Sequence, residues 1–185
     1  MIALGCVTGR FQPVHGQHLE LFEIVLARCQ HLIIAVTNPD AAARHPEAAS
    51  AHRHTQAANP FTYFERAQLL QAALIDRGIE RGLALRATIV PFDLTRPAQW
   101  PHYVPLSAQQ FVRVFDKWGR EKAARLAQAG YGVTLLDGDA AHRQSAADMR
   151  ASMVGGDDRW RGLAPPGTVP LLMEFLVQAP IRSRG

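Results

Sequence analysis

Gly9-Arg10-Phe11-Gln12-Pro13-Val14-His15-Gly16-Gln17-His18 is the stretch that decides how this chain is read. Upstream, Met1 to Thr8 alternates apolar and small residues, and Ile2, Leu4 and Val7 suit a short buried strand. Downstream, Leu19, Leu21, Phe22, Val25 and Leu26 recur at helical spacing, which predicts a helix starting near Gly16 or Gln17. The ten residues are therefore a strand-to-helix turn. Such a turn aims backbone N–H groups and the positive end of a helix dipole at one spot, which makes an anion site before any side chain is counted. Into that spot the sequence places the Arg10 guanidinium and two imidazoles, His15 and His18, three apart and so on one side if both lie on the first helical turn. Two ring N–H donors held together can follow charge onto the oxygens of a phosphoryl group under attack, and neither has to be a nucleophile. The turn alone leaves open a plainer alternative, a capped helix with two solvated histidines.

A chain of 185 residues supports one full core and is short for two domains, so residues 1–185 are read as a single domain. Hydrophobic residues make up 48% and charged residues 19%, the balance of a soluble globular protein. No apolar run approaches a membrane span and the N-terminus lacks a basic-then-apolar leader, so a cytoplasmic location with no membrane partner is expected. Cys6 and Cys29 are most simply reduced core thiols. The net charge of +4 is spread along the chain, which suits anionic small molecules; no basic stripe with interleaved aromatics supports nucleic-acid binding, which stands only as a weak alternative.

Beyond the turn, His31 to Thr37 is a compact apolar run that reads as a second strand, giving a βαβ unit and hence a parallel sheet. Asn38 to Asn59 is long for a connection inside a compact domain and holds Arg44, His45, His52, Arg53 and His54. Three histidines without acidic or cysteine partners do not specify a metal site, and a lid over bound phosphates is the preferred reading. Thr62 and Glu65 have capping-box spacing ahead of Ala67, Leu69, Leu70, Ala73 and Leu74, which predicts a helix. Leu83 to Phe92 supplies a third strand, Phe111 to Phe115 a fourth, and Tyr131 to Leu136 a fifth, with a helix over Glu121 to Ala129 ended by Gly130. Asp116-Lys117-Trp118 falls at the C-terminal edge of the fourth strand, where open α/β sheets bind ligands. Ser145 is a candidate helix N-cap, and a closing helix is expected over Val169 to Val177.

The opening turn resembles the signature of the HxGH nucleotidylyltransferase superfamily, and G-R-F-Q-P-x-H most resembles nicotinamide mononucleotide (NMN) adenylyltransferases of archaeal type. Family members read His-x-Gly-His, whereas this chain has Gly16 second and Gln17 third. Asn59-Pro60-Phe61-Thr62-Tyr63-Phe64-Glu65-Arg66 resembles the family's N/D-P-F-T-x-x-E-R segment, with Ala58 where a phosphate-binding arginine commonly stands; Arg53 or Arg44 would have to replace it. Gln144-Ser145-Ala146-Ala147-Asp148-Met149-Arg150 resembles the S-x-T-x-x-R signature, with Ala147 for the usual Thr. Asp116, Lys117 and Trp118 replace a small T/S-G-N turn.

The resemblance covers essentially the whole chain and implies an α/β fold of nucleotidylyltransferase type, a Rossmann-like parallel five-stranded sheet with helices on both faces. It implies that the phosphate of a bound monophosphate attacks the α-phosphorus of a nucleoside triphosphate and that pyrophosphate leaves. His15, His18, Arg10 and Arg150 would be the catalytic residues, the histidines on the α-phosphoryl oxygens and the arginines on the leaving pyrophosphate. Gly9, Phe11, Ser145 and Ala147 would line the nucleotide phosphates. Asp93 and Trp100, at the family's spacing for a nicotinamide pocket, would bind the acceptor together with Lys117 and Trp118. Mg²⁺ is implied as cofactor, held mainly by the triphosphate with no protein metal site, and the partners are a nucleoside triphosphate and a small phosphorylated substrate; a homo-oligomer is compatible with the sequence. ATP plus NMN to NAD is the leading expectation. The departures keep open a cytidylyl or other nucleotidyl transfer to a different small phosphate or phosphonate, hydrolysis of a nucleotide conjugate, and a non-catalytic nucleotide sensor.

Overall fold

The computed structural model describes residues 1–46, 54–77 and 86–182. His52, Arg53 and the start of the expected third strand at Leu83 lie outside the described residues. Five strands, β1 (Ile2–Gly9), β2 (Cys29–Thr37), β3 (Ala87–Phe92), β4 (Gln109–Val114) and β5 (Val133–Asp137), form one sheet in the order β3-β2-β1-β4-β5. Every neighbouring pair is parallel.

Parallel strands are covered on both faces, and alternation along β1 divides the core accordingly. Val7 turns to one face, where it joins Phe22 and Val25 of α1 (Gly16–Leu26), Leu69 and Ala73 of α2 (Tyr63–Asp76), Met149 of α4 (Ala146–Val154) and Leu172 of α5 (Val169–Arg182). Cys6 turns to the other, with Ala123 and Leu126 of α3 (Lys117–Gln128) and with Trp100 and Tyr131. Strand order reverses between β1 and β4, so the C-terminal ends of those two strands open a crevice, as doubly wound sheets do at such a point.

The capping box before α2 is formed: Glu65 N–H donates to Thr62 Oγ1 at 3.3 Å, and Thr62 N–H donates to Glu65 Oε2 at 2.8 Å. The helix expected over Glu121 to Ala129 begins four residues earlier, at Lys117. Asp116 is its N-cap, with Oδ1 accepting from Gly119 N–H at 3.0 Å, so Asp116-Lys117-Trp118 is a helix start and not a strand-end turn. The last helix also runs past Val177 to Arg182.

Candidate active site

The opening turn is held by its own side chains. Gly9 lets the Phe11 ring fold back, since a Cβ there would come within 2.7 Å of the ring. Phe11 takes a positive φ of 50° and is buried, its ring edge-on to His18 at 4.9 Å and tilted against Phe22 at 5.8 Å. Gln12 is buried and pairs with the segment before α2: its Nε2 donates to Phe61 O at 2.9 Å and its Oε1 accepts from Phe61 N–H at 3.0 Å. The carbonyls of the turn are capped by arginines. Arg66 Nη1 donates to Arg10 O at 2.9 Å, and Arg150 Nη1 donates to Gln12 O at 2.7 Å.

On this support the two imidazoles lie against each other, ring centroids 3.7 Å apart and planes 31° from parallel. His18 Nδ1 accepts from His15 N–H at 3.2 Å, which leaves the proton of a neutral ring on Nε2. Burial pushes His15 down to about 4, helped by the positive charges of Arg113 and Arg143. His18 is pushed well below the usual imidazole value by burial, then by His15, Arg113 and Lys122. Both rings are therefore neutral near pH 7, the state in which each carries one N–H donor.

The histidines wall a cavity of about 220 Å³ in the β1/β4 crevice. Four cations line it: Arg10, Arg113, Lys122 and Arg143. Among the described residues, Asp116 is the one carboxylate in that wall, and it pairs with Arg143 at 3.0 Å. Arg113 Nη1 lies 3.2 Å from Gln17 O and 3.6 Å from Glu20 Oε2; Lys122 Nζ donates to Thr8 O at 3.0 Å; Arg143 also stacks over Phe115 at 5.0 Å. Gly9, Phe11, Ser145, Ala147 and Trp118 line the same cavity. Ser145 Oγ caps α4 by accepting from Ala147 N–H at 3.1 Å. Such a wall fits a multiply charged anion, because each cation can contribute a charge-assisted hydrogen bond once water is excluded.

Several expected site residues lie elsewhere. Arg150 is not on the cavity wall; its bond to Gln12 O holds the turn. Lys117 points outward, 86% exposed and 3.6 Å from Glu121. Trp100 is 1% exposed and belongs to the core, 5.2 Å from Phe92 and 6.3 Å from Tyr131, with Nε1 donating to Asp93 O at 2.6 Å. Asp93 is engaged by Thr95, whose N–H and hydroxyl donate to Oδ1 at 2.8 and 2.6 Å, and by Arg96 at 3.4 Å. Of the arginines expected to replace the one absent at Ala58, Arg44 bonds Gln56 Oε1 at 2.5 Å; Arg10 Nη1, meanwhile, donates to Ala58 O at 3.3 Å. No group of three His, Cys, Asp or Glu side chains gathers among the described residues.

Sequence reasoning missed Arg113, Lys122 and Arg143. Arg113 alternates with Phe111 on the cavity face of β4, and that two-residue period was a visible signal. Lys122 fell within the helix expected over Glu121 to Ala129, but its place on the wall comes from the approach of α3 to the end of β1, where its Nζ reaches Thr8 O.

A family described as cytidylyltransferase-like matches residues 6–86. A phosphonoformate cytidylyltransferase of Streptomyces viridochromogenes is 32% identical over 179 residues, covering 97% of this chain and 95% of that protein. The chain belongs to the nucleotidylyltransferase superfamily. A nicotinamide-nucleotide adenylyltransferase of Thermococcus onnurineus is 31% identical over 173 residues, covering 92% of this chain and 82% of its own. A nucleotidylyltransferase fold is seen again in the structure of a bifunctional NMN adenylyltransferase/ADP ribose pyrophosphatase from Francisella tularensis, complexed with AMP and a manganese ion. It superposes with a TM-score of 0.63 at 16% identity over 96% of this chain, which spans about half that protein's length. In this nucleotidylyltransferase His15 and His18 stand at the start of the first crossover helix, with Gly16 and Gln17 between them.

Proposed function

We propose that this nucleotidylyltransferase joins a nucleoside monophosphate, with cytidylyl as the leading group, to a compact phosphonate or phosphate acceptor. An oxygen of the acceptor attacks the α-phosphorus of the triphosphate, the bond from that phosphorus to the β-phosphate bridging oxygen breaks, and pyrophosphate leaves. A phosphonate or phosphate is already ionised near neutral pH, so no base is needed. That agrees with two imidazoles, His15 buried and His18 partly so, that are poor bases but retain N–H donors for the α-phosphoryl oxygens. Arg10, Arg113, Lys122 and Arg143 would balance the charge of acceptor and triphosphate. Mg²⁺ would enter on the triphosphate: the cavity wall is cationic and Asp116 is paired with Arg143, so these residues do not fit a protein-held divalent site and no step is assigned to it.

The observation that carries the choice of acceptor is the burial of Trp100. With that ring in the core and the Asp93 carboxylate engaged by Thr95 and Arg96, neither offers a face to a nicotinamide, whereas four cations surround a small cavity. The phosphonoformate cytidylyltransferase relative supports the same reading. The second reading, ATP plus NMN to NAD, is favoured by the adenylyltransferase relative and by the Asp93 to Trp100 spacing.

A pyrophosphate-release screen crossing CTP, ATP, GTP and UTP with small phosphonates, small phosphates, NMN and nicotinate mononucleotide tests both. CTP with a small phosphonate is expected to turn over at least a hundredfold faster than ATP with NMN. The reverse preference would replace the first reading by the second.

A further inference from the structure

The superfamily's order of residues between the two histidines is permuted here, and the structure gives the permutation a use. A Cβ at position 16 would meet the Gln144 Oε1 at 3.3 Å, so Gly16 leaves room for that carboxamide. Gln144 Oε1 accepts from Gln17 N–H at 3.3 Å, Gln17 Oε1 accepts from Gln144 N–H at 2.9 Å, and Gln17 Nε2 donates to His142 O at 2.6 Å. Two glutamines thus bond each other's backbone, and a third bond reaches His142, two residues back from Gln144. A glycine at position 17 would keep the first of these bonds through its N–H and lose the other two.

What these bonds hold is residues 138–145, the connection from β5 to α4 that brings Arg143, Gln144 and Ser145 to the cavity wall. None of those eight residues is buried. Other ties of this segment are the Gly138 N–H bond to Val114 O at 3.0 Å and the Arg143 contacts with Asp116 at 3.0 Å and with the Phe115 ring at 5.0 Å. A segment anchored by polar contacts and little apolar burial opens readily when a few bonds are removed.

We propose that Gln17 is a positioning residue that clasps residues 138–145 against α1, so that Arg143 and Ser145 are in place before the nucleotide arrives. The inference rests on the reading of this cavity as the triphosphate site. Without the clasp, ordering of the segment would be charged against ligand binding, so the loss appears in KM more than in kcat.

Hydrogen exchange and kinetics on the full chain test it. Gln17→Gly is expected to speed exchange of the amides of residues 138–145 at least tenfold with thermal unfolding little changed, and to raise KM for the triphosphate about tenfold while kcat falls less than threefold. Gln144→Ala removes only the bond from Gln17 N–H and leaves the two made by the Gln17 side chain, so it is expected to speed exchange and raise KM less than Gln17→Gly, and the double variant more than either single one. Unchanged exchange in both single variants overturns the clasp. Faster exchange with an unchanged KM overturns the positioning role, as does a fall confined to kcat. The exchange result is read without turnover: a lost clasp in a protein inert to every substrate pair upholds the contact and removes the transferase reading instead.

Discussion

The neutral histidine pair makes the acid stability of this protein predictable. An imidazole in the unfolded chain takes up its proton near pH 6.5, whereas burial and the Arg113 and Arg143 charges hold His15 at about 4 in the fold. Between those values the unfolded chain binds more protons, so stability is fully present above 6.5, falls as the pH drops through the window and levels off below about 4. Working the linkage for His15 alone gives a loss of about 2 kcal/mol between pH 7 and pH 5, and about 3 kcal/mol by pH 4. His18, depressed by burial and then by His15, Arg113 and Lys122, adds in the same direction. The measurement is urea unfolding of the parent and of His15→Asn at pH 7, 6 and 5. Asparagine is uncharged throughout the range, so the carboxylates common to both proteins cancel in the difference. The parent should lose about 2 kcal/mol more than the variant by pH 5, a gap of roughly 4–8 °C in midpoint temperature for a chain of this size. Stability curves that stay parallel within about 0.5 kcal/mol would refute it, since an imidazole with an ordinary proton affinity in the fold contributes no slope. That result would also undo the argument that the pair acts as neutral donors.

Two other outcomes follow from buried groups near the site. Arg66 is 0% exposed and donates to Thr62 O, Arg10 O, Thr37 O, Asn38 O and Pro39 O, so Arg66→Met leaves the carbonyls at the ends of β1 and β2 without their donor. The expected loss is about 3–5 kcal/mol, seen as a fall of roughly 10 °C or more in thermal unfolding followed by circular dichroism, and a loss below about 1 kcal/mol would contradict it. Cys6 and Cys29 are free and buried, and burial pushes the Cys6 thiol up to about 12. Neither should react with an aromatic disulfide reagent at pH 8 in the native protein, while both react at once in urea; native reaction within a hundredfold of the unfolded rate would show that the core opens.

Features enforced by the backbone were legible in the sequence, and features made by convergence were not. The turn after β1 could be read because each residue answers a local need: Gly9 for the Phe11 ring, and Gln12 for the reciprocal bonds to Phe61 that tie the two quoted motifs together. The capping box at Thr62 and Glu65 is likewise complete within four residues. The cap at Asp116 escaped notice because Gly119 stands where a capping box would have Glu or Gln, leaving only half of the usual signal. Trp100 shows why spacing cannot assign a pocket. Seven residues after Asp93 an indole can face a ligand or the core, and the 3-10 turn over Pro97–His102 turns it inward, where its N–H meets the Asp93 carbonyl. The cationic wall needs β4, α3 and the segment before α4 to meet, so Arg113, Lys122 and Arg143 share no sequence window. Gly16 and Gln17 were visible as a departure, but its sense was not: whether a glutamine crowds a phosphate site or serves it depends on a partner at position 144. The distance along the chain to the partner, more than the strength of the local pattern, therefore separates what could be read from what had to be seen. By the same argument a relative that keeps glutamine at both positions should keep the closed segment, and one that restores glycine at position 17 should need its nucleotide to order it.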